Sequence, residues 1–300
     1  MKGAARSQEQ LAEDAARRLS LSDESRAEVQ RWALRLDHAP RGGATGDVLG
    51  RGSGGSMEFH DRRSYSPGDD VRHIDWRALA RTDEVLVRVH REEVSPRLDL
   101  FVDLSLSMST DEAKARRALE LTALLAESGR AAGHAVRLVG LGDEVQRIPL
   151  EVLMGEGLAF DGRRSLADQV GAAAAQVRPS SVRAVVSDFL VPMAPESMVR
   201  SLARGAARVL FVQVLSERDI GPREQGVVQL VDAESGELRD VSMDAAGVKR
   251  YRERLERLRS GLAGAVRGEG GVFLEASVER DLRAEAEALA ALGAIEVGGR

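Results

Sequence analysis

The sequence predicts an α/β protein: a doubly wound, mostly parallel sheet, preceded by N-terminal helices and an irregular segment that contains β-structure. Three observations point to it. Beyond Arg97, short apolar runs alternate with longer stretches of helical periodicity. The second and third runs are joined only by Leu141-Gly142-Asp143-Glu144, too short for a parallel crossover, so they form an antiparallel hairpin at one edge. Two of the apolar runs end in an aspartate, as a ligand-binding strand tip requires.

In chain order, residues 8–37 carry two helical patterns. Leu11, Ala15, Ala16 and Leu19 share one face, Val29, Trp32, Ala33 and Leu36 the next, and Ser22-Asp23-Glu24-Ser25 supplies cap residues between them. Residues 39–56 are Gly-rich and read as a linker or a surface loop. From Met57 to Pro96 the chain is polar and Arg-rich, with a Pro67-Gly68-Asp69-Asp70 turn and a strand-like alternation at Val85, Val87 and Val89. This divides the chain at 1–44, 45–97 and 98–300.

In the last part the strands are Leu98–Asp103, Ala135–Gly140, Val145–Leu150, Arg183–Asp188, Val209–Leu215 and Gly271–Glu275. Helices fall near 111–132, 165–177, 195–206, 244–266 and 279–291. A hairpin, Val227–Val231 with Leu238–Ser242 about Ser235-Gly236, interrupts the alternation. The expected strand order is 3-2-1-4-5-6, with Leu98–Asp103 inside the sheet.

Composition narrows the function. The 300 residues carry 43 Lys plus Arg against 48 Asp plus Glu, a net charge of -5, which gives no global attraction to nucleic acid or acidic membranes. Lys2, Lys114 and Lys249 are the only lysines. The absence of Cys excludes disulfides, Cys-ligated zinc, iron–sulfur clusters and thiol nucleophiles. With no apolar leader region at the start and no 18-residue apolar stretch, the expectation is a soluble cytoplasmic protein.

Between Arg51 and Arg97 nine Arg face nine Asp or Glu, a balance that cannot make a phosphate-binding stripe. Pairs among Arg62, Arg63, Asp69, Asp70, Arg72, Asp75 and Arg77 are expected to brace the segment, with Tyr65, Ile74 and Trp76 as anchors. The other reading is a partner-docking surface carried by Arg72, Asp75 and Trp76. Gly50-Arg51-Gly52-Ser53-Gly54-Gly55 matches a dinucleotide fingerprint but lacks the strand before and the helix after it. His60, His73 and Asp75 read as structural residues of a polar block and not as a zinc site.

The chemistry concentrates in Asp103-Leu104-Ser105-Leu106-Ser107. An apolar strand ends in Asp103, and Ser105 and Ser107 follow at alternate positions, so three oxygen-bearing side chains leave one strand tip together. A second strand ends in Asp188. Two carboxylates and two hydroxyls form a hard, all-oxygen donor set, suited to Mg²⁺ or Mn²⁺ in octahedral geometry. The plainer alternative is that Asp and Ser cap the helix beginning near Asp111.

These residues resemble the metal-ion-dependent adhesion site of von Willebrand factor type A domains. The preceding block, Glu58-Phe59-His60-Asp61-Arg62-Arg63-Ser64-Tyr65-Ser66-Pro67-Gly68-Asp69-Asp70-Val71-Arg72-His73-Ile74-Asp75-Trp76-Arg77, resembles the hallmark of bacterial domain-of-unknown-function family fifty-eight. Over residues 45–290 the resemblance implies a type A-like domain with metal residues at Asp103, Ser105, Ser107 and Asp188 and a third hydroxyl at Ser165. It also implies a MoxR-type AAA+ ATPase as partner, in assembly or maturation of other proteins. The expected function is a non-catalytic, metal-dependent interaction module with no catalytic residue. The alternative is a Mg-dependent hydrolase of phosphate esters. Against it, aspartyl-phosphate enzymes use Asp-x-Asp, and here the second position is Ser105.

Overall fold

The structure, a computed structural model, describes residues 17–36, 61–66, 71, 74–82, 84–89, 96–177, 179–221 and 226–298. The helical pattern over 8–16, the Gly-rich stretch, the 67–70 turn and Arg72 lie outside these residues. The chain forms two compact units, residues 42–95 and the remainder.

The N-terminal part of the larger unit departs from the helical expectation. Ser22 caps a short helix, Asp23–Val29, by accepting the Ser25 amide. Strand β1, Trp32–Leu34, then replaces the predicted second helix and pairs antiparallel with Ile295–Val297 near the far end of the chain. Trp32, Leu34 and Leu36 are buried at alternate positions, the period of a strand. Leu19, assigned by periodicity to the first helix, instead exchanges two backbone hydrogen bonds with Leu158 at 2.8 and 3.0 Å.

Gly157 makes that exchange possible. It sits at φ +82°, and a Cβ there would lie 1.7 Å from the Leu19 carbonyl oxygen. Gly157→Ala is therefore expected to lower unfolding stability by about 2 kcal/mol in a urea titration. An unchanged midpoint would remove the bridge from the fold's supports.

In the smaller unit, β2 (Asp61–Ser64) pairs antiparallel with β3 (Leu86–Val89), and a helix spans Trp76–Thr82. Ile74, Ala78 and Val87 are buried. Trp76 is 62% exposed.

The six-stranded sheet follows the predicted order. Its strands are β4 (Arg97–Asp103), β5 (Ala135–Leu141), β6 (Val145–Ile148), β7 (Val182–Ser187), β8 (Arg208–Leu215) and β11 (Val272–Ser277), arranged β11-β8-β7-β4-β5-β6. Only β6 is antiparallel. It ends at Ile148, earlier than predicted, because Pro149 has no N–H for the ladder and instead opens the Leu150–Gly155 helix.

The helices cover both faces. Leu98, Leu100 and Val102 pack with the Glu112–Ala131 and Leu282–Ala291 helices, whereas Phe101 packs with Leu166–Gln176, Pro195–Ala203 and Ala245–Gly268. Burial on both faces explains the near-continuous apolar runs. The hairpin of β9 (Gly226–Val231) and β10 (Leu238–Met243) stands outside the large sheet, and β12 (Ile295–Val297) completes the pair with β1. No helix among the described residues is long and apolar enough to cross a membrane.

Candidate metal centre

Strand register decides what meets at the sheet's C-terminal edge. β4 runs parallel to β7 with Val102 opposite Val186, so Asp103 and Ser187 leave the sheet side by side and Asp188 follows. The chain leaves β4 toward β5 on one flank and later returns to β7 on the other, so strand order reverses between them. A crevice forms at such a reversal.

Asp103 and Ser105 are 1% exposed and Asp188 2%, while Ser107 is half-buried. Ser187 Oγ donates to Asp103 Oδ2 at 2.6 Å, and the Ser105 amide donates to Oδ1 at 3.0 Å. Burial first, and the Asp188 charge second, push the Asp103 carboxyl from its ordinary 3.8 up to about 6, against the hydrogen bonds from Ser187 and Ser105. The Oγ atoms of Ser105 and Ser107 lie 3.0 Å apart.

After Asp188 the backbone turns through Phe189 at φ 55°, a left-handed conformation uncommon for a bulky residue. Its ring is fully buried and stacks on Phe211 with centroids 5.5 Å apart. Ser187 Oγ accepts the Phe189 amide at 2.9 Å, and Asp188 Oδ1 accepts the Leu190 amide at 3.0 Å. The strained turn thus fixes Asp188 at the tip.

The other Asp188 oxygen is taken by a residue that the sequence reading passed over. Lys114, 2% exposed, donates from Nζ to Asp188 Oδ2 at 2.8 Å and stands 3.6 Å from Asp219 Oδ1. Burial alone pushes its ammonium down, but Asp188 and then Asp219 outweigh this and hold it above the ordinary lysine range. One ammonium against Asp103, Asp188 and Asp219 still leaves an excess of negative charge.

Asp103, Ser105 and Ser107 fit a small divalent cation. The 3.0 Å between the hydroxyls matches the edge of an octahedron with bonds of about 2.1 Å. A cation beside Asp103 would also relieve its buried charge. Asp188, like Asp103, has both carboxylate oxygens hydrogen-bonded within the fold, and it stands as the second carboxylate beside that position. Among the described residues no cluster of three His, Cys, Asp or Glu is placed to hold a metal, so such a site depends on the hydroxyls.

The remaining predicted residues have other surroundings. Ser165 forms a capping box at the start of the Leu166–Gln176 helix, its Oγ donating to Asp168 Oδ2 at 2.9 Å. Its neighbour Gly162 reaches the tip instead, bridging to Ser105 and accepting the Leu106 amide at 2.8 Å. Asp75 is buried, and its Oδ1 accepts the Arg77 and Ala78 amides at 3.1 and 3.2 Å, the work of a helix cap. Trp76 lies beside it at the surface.

Two further residues complete the tip. Gln213, level with Ser187 on β8, donates to the Asp188 carbonyl at 2.7 Å. Glu234, from the turn between β9 and β10, accepts the Ser107 amide at 3.0 Å. The sequence carried little signal for Lys114: Lys249 is likewise a single lysine early in a helix, and its side chain is 78% exposed. Glu234 carried none.

The family model described as "Protein of unknown function DUF58" matches residues 61–260. Uncharacterized proteins of Mycobacterium bovis and Mycobacterium tuberculosis are each 32% identical over 258 residues, covering 80% of this chain and 80% of theirs. Among solved structures, an aerotolerance-related membrane protein from Bacteroides fragilis aligns with a TM-score of 0.37 at 10% identity, over 66% of this chain and 98% of its own. The conserved hypothetical protein BatB from Bacteroides thetaiotaomicron aligns with 0.36 at 10%, over 66% and 96%.

Proposed function

The chain belongs to the DUF58 family, and on that premise we propose that it is a non-catalytic, metal-dependent protein-interaction module of type A character. The observation that carries this reading is the convergence of Asp103, Ser105 and Ser107 at the reversal point of the sheet, beside an Asp188 charge fixed by Lys114. Asp103, Ser105 and Ser107, with Asp188 beside them, would hold Mg²⁺ or Mn²⁺. When bound, the ion supplies an electrophilic position to which a carboxylate of another protein can coordinate.

The same residues argue against catalysis. Lys114, ion-paired and held charged, has no lone pair with which to take a proton. Ser105 and Ser107 hydrogen bond to each other, and His134 lies at the start of β5, the opposite end of the sheet. The family resemblance supports a MoxR-type AAA+ ATPase as the partner, met in the cytoplasm during assembly or maturation of other proteins.

The test is capture of the purified ATPase by the immobilised protein in Mg²⁺, in EDTA, and with Asp103→Ala, with circular dichroism as a check on folding. Capture is expected in Mg²⁺ alone. Capture that survives both EDTA and Asp103→Ala moves the interface to Arg72 and Trp76. Metal-dependent turnover of a phosphate ester that disappears in Asp103→Ala establishes a hydrolase instead.

A further inference from the structure

The turn between β9 and β10 is built with more order than a connection requires. Asp232 Oδ1 accepts both the amide and the hydroxyl of Ser235, at 2.8 and 2.7 Å, and these hydrogen bonds hold its carboxyl below the usual range. The Asp232 amide donates to the Glu237 carbonyl at 2.9 Å, and Gly236 takes φ 72°. Between these fixed points lies Glu234. Its Oε1 accepts the Ser107 amide at 3.0 Å, and Oε2 has no hydrogen-bond partner among the described residues.

The Glu234 carboxylate is thereby held at the backbone of Ser107, the residue whose hydroxyl pairs with that of Ser105, with the chemistry expected of a partner's acidic side chain. The hairpin that brings it is weakly held. It is two-stranded, and Val227, Leu230, Val231 and Leu238 are 78, 49, 48 and 56% exposed, with Met243 its one buried apolar residue. An isolated two-stranded hairpin is marginally stable in water.

We propose that Glu234 is a ligand supplied in cis to the strand-tip cation site, so that a partner's carboxylate must displace the β9–β10 hairpin to bind. This rests on reading Asp103, Ser105 and Ser107 as cation ligands. Asp232 is a positioning residue, which acts by fixing the turn. Displacement would free the hairpin, whose exposed apolar side chains are then available to the same partner.

The experiment is calorimetric titration of Mn²⁺ into the full chain and into Glu234→Gln, Asp232→Ala and Asp103→Ala. Glutamine keeps an oxygen for the Ser107 amide and removes the charge. Glu234→Gln is expected to weaken Mn²⁺ at least about tenfold, Asp232→Ala to weaken it less, and Asp103→Ala to abolish binding. At saturating Mn²⁺, a short Glu-containing peptide is expected to bind Glu234→Gln about tenfold more tightly than the unaltered protein, since the competing side chain is gone. Mn²⁺ affinity unchanged in Glu234→Gln but lost in Asp103→Ala overturns the role of Glu234 and leaves the cation site standing. Equal peptide affinity overturns the competition. No Mn²⁺ binding by the unaltered chain overturns both the site and its ligand in cis.

Discussion

Replacing Asp188 with alanine is expected to destabilise the protein by about 3–5 kcal/mol, the usual penalty for leaving a buried charge without its partner. Lys114 Nζ lies 2.8 Å from Asp188 Oδ2 with both side chains no more than 3% exposed, and what remains is Asp219 at 3.6 Å. The same substitution removes the acceptor of the Leu190 amide, which braces the left-handed turn at Phe189. Lys114→Met in the Asp188→Ala background is expected to recover a large part of the loss, because the stranded ammonium goes with it. In urea unfolding followed by circular dichroism, the two single changes and the double change should give a coupling of about 2–3 kcal/mol. Strict additivity would mean that the pair contributes nothing. Loss of metal binding in Asp188→Ala would then not by itself identify a ligand, so Asp103 is the better probe of the site.

Asp103→Asn is expected to act in the opposite direction on stability. Its Oδ1 can still accept the Ser105 amide and its Nδ2 can donate to Ser187 Oγ, while the charge facing Asp188 is gone. The folded-state carboxyl is raised to about 6 from 3.8, so the folded chain takes up a proton before the unfolded chain does, and Asp103 costs stability as pH rises through that window. At pH 7 in EDTA the cost is fully present, on the order of 2–3 kcal/mol at 1.36 kcal/mol per pKa step. The variant should therefore melt above the unaltered protein at pH 7 and lose that advantage progressively down to about pH 4. Divalent cation should raise the melting temperature of the unaltered protein only. A variant less stable than the parent at every pH would show that Asp103 is a structural cap. The expected pattern, a residue that the fold would be more stable without, is that of a binding site.

The sheet was legible in the sequence because its strands are buried on both faces and helices such as Pro195–Ala203 on one. Burial of that kind writes continuous apolar runs such as Leu100–Val102 and periodic ones such as Met198, Val199 and Leu202 directly into the chain. Strand order followed from connection lengths. The short 141–144 link could only make a hairpin, and the reversal between β4 and β7 then placed Asp103 and Asp188 together. The motif residues at the tip were legible for the same reason, being the residues that end those runs.

Long-range partnership was not legible. Val29, Trp32, Ala33 and Leu36 satisfy a helical spacing as well as Trp32, Leu34 and Leu36 satisfy a strand, and a partner at Ile295–Val297 chose between them. Ser165 forms a capping box with an Asp three residues on, a contact within one short window.

The sequence by itself determined the α/β class, the order of the central sheet, the β9–β10 hairpin and the oxygen-rich character of the strand tip, because each follows from periodicity, connection length or residue type within a short window. Only the tertiary structure decided which charged and polar partners meet at that tip. Lys114, Ser187, Asp219 and Glu234 reach it from four other elements, at separations of 11 to 131 residues from Asp103. Whether a buried carboxylate faces an ammonium, a hydroxyl or another carboxylate depends on packing between elements, and no local pattern in a single sequence records it.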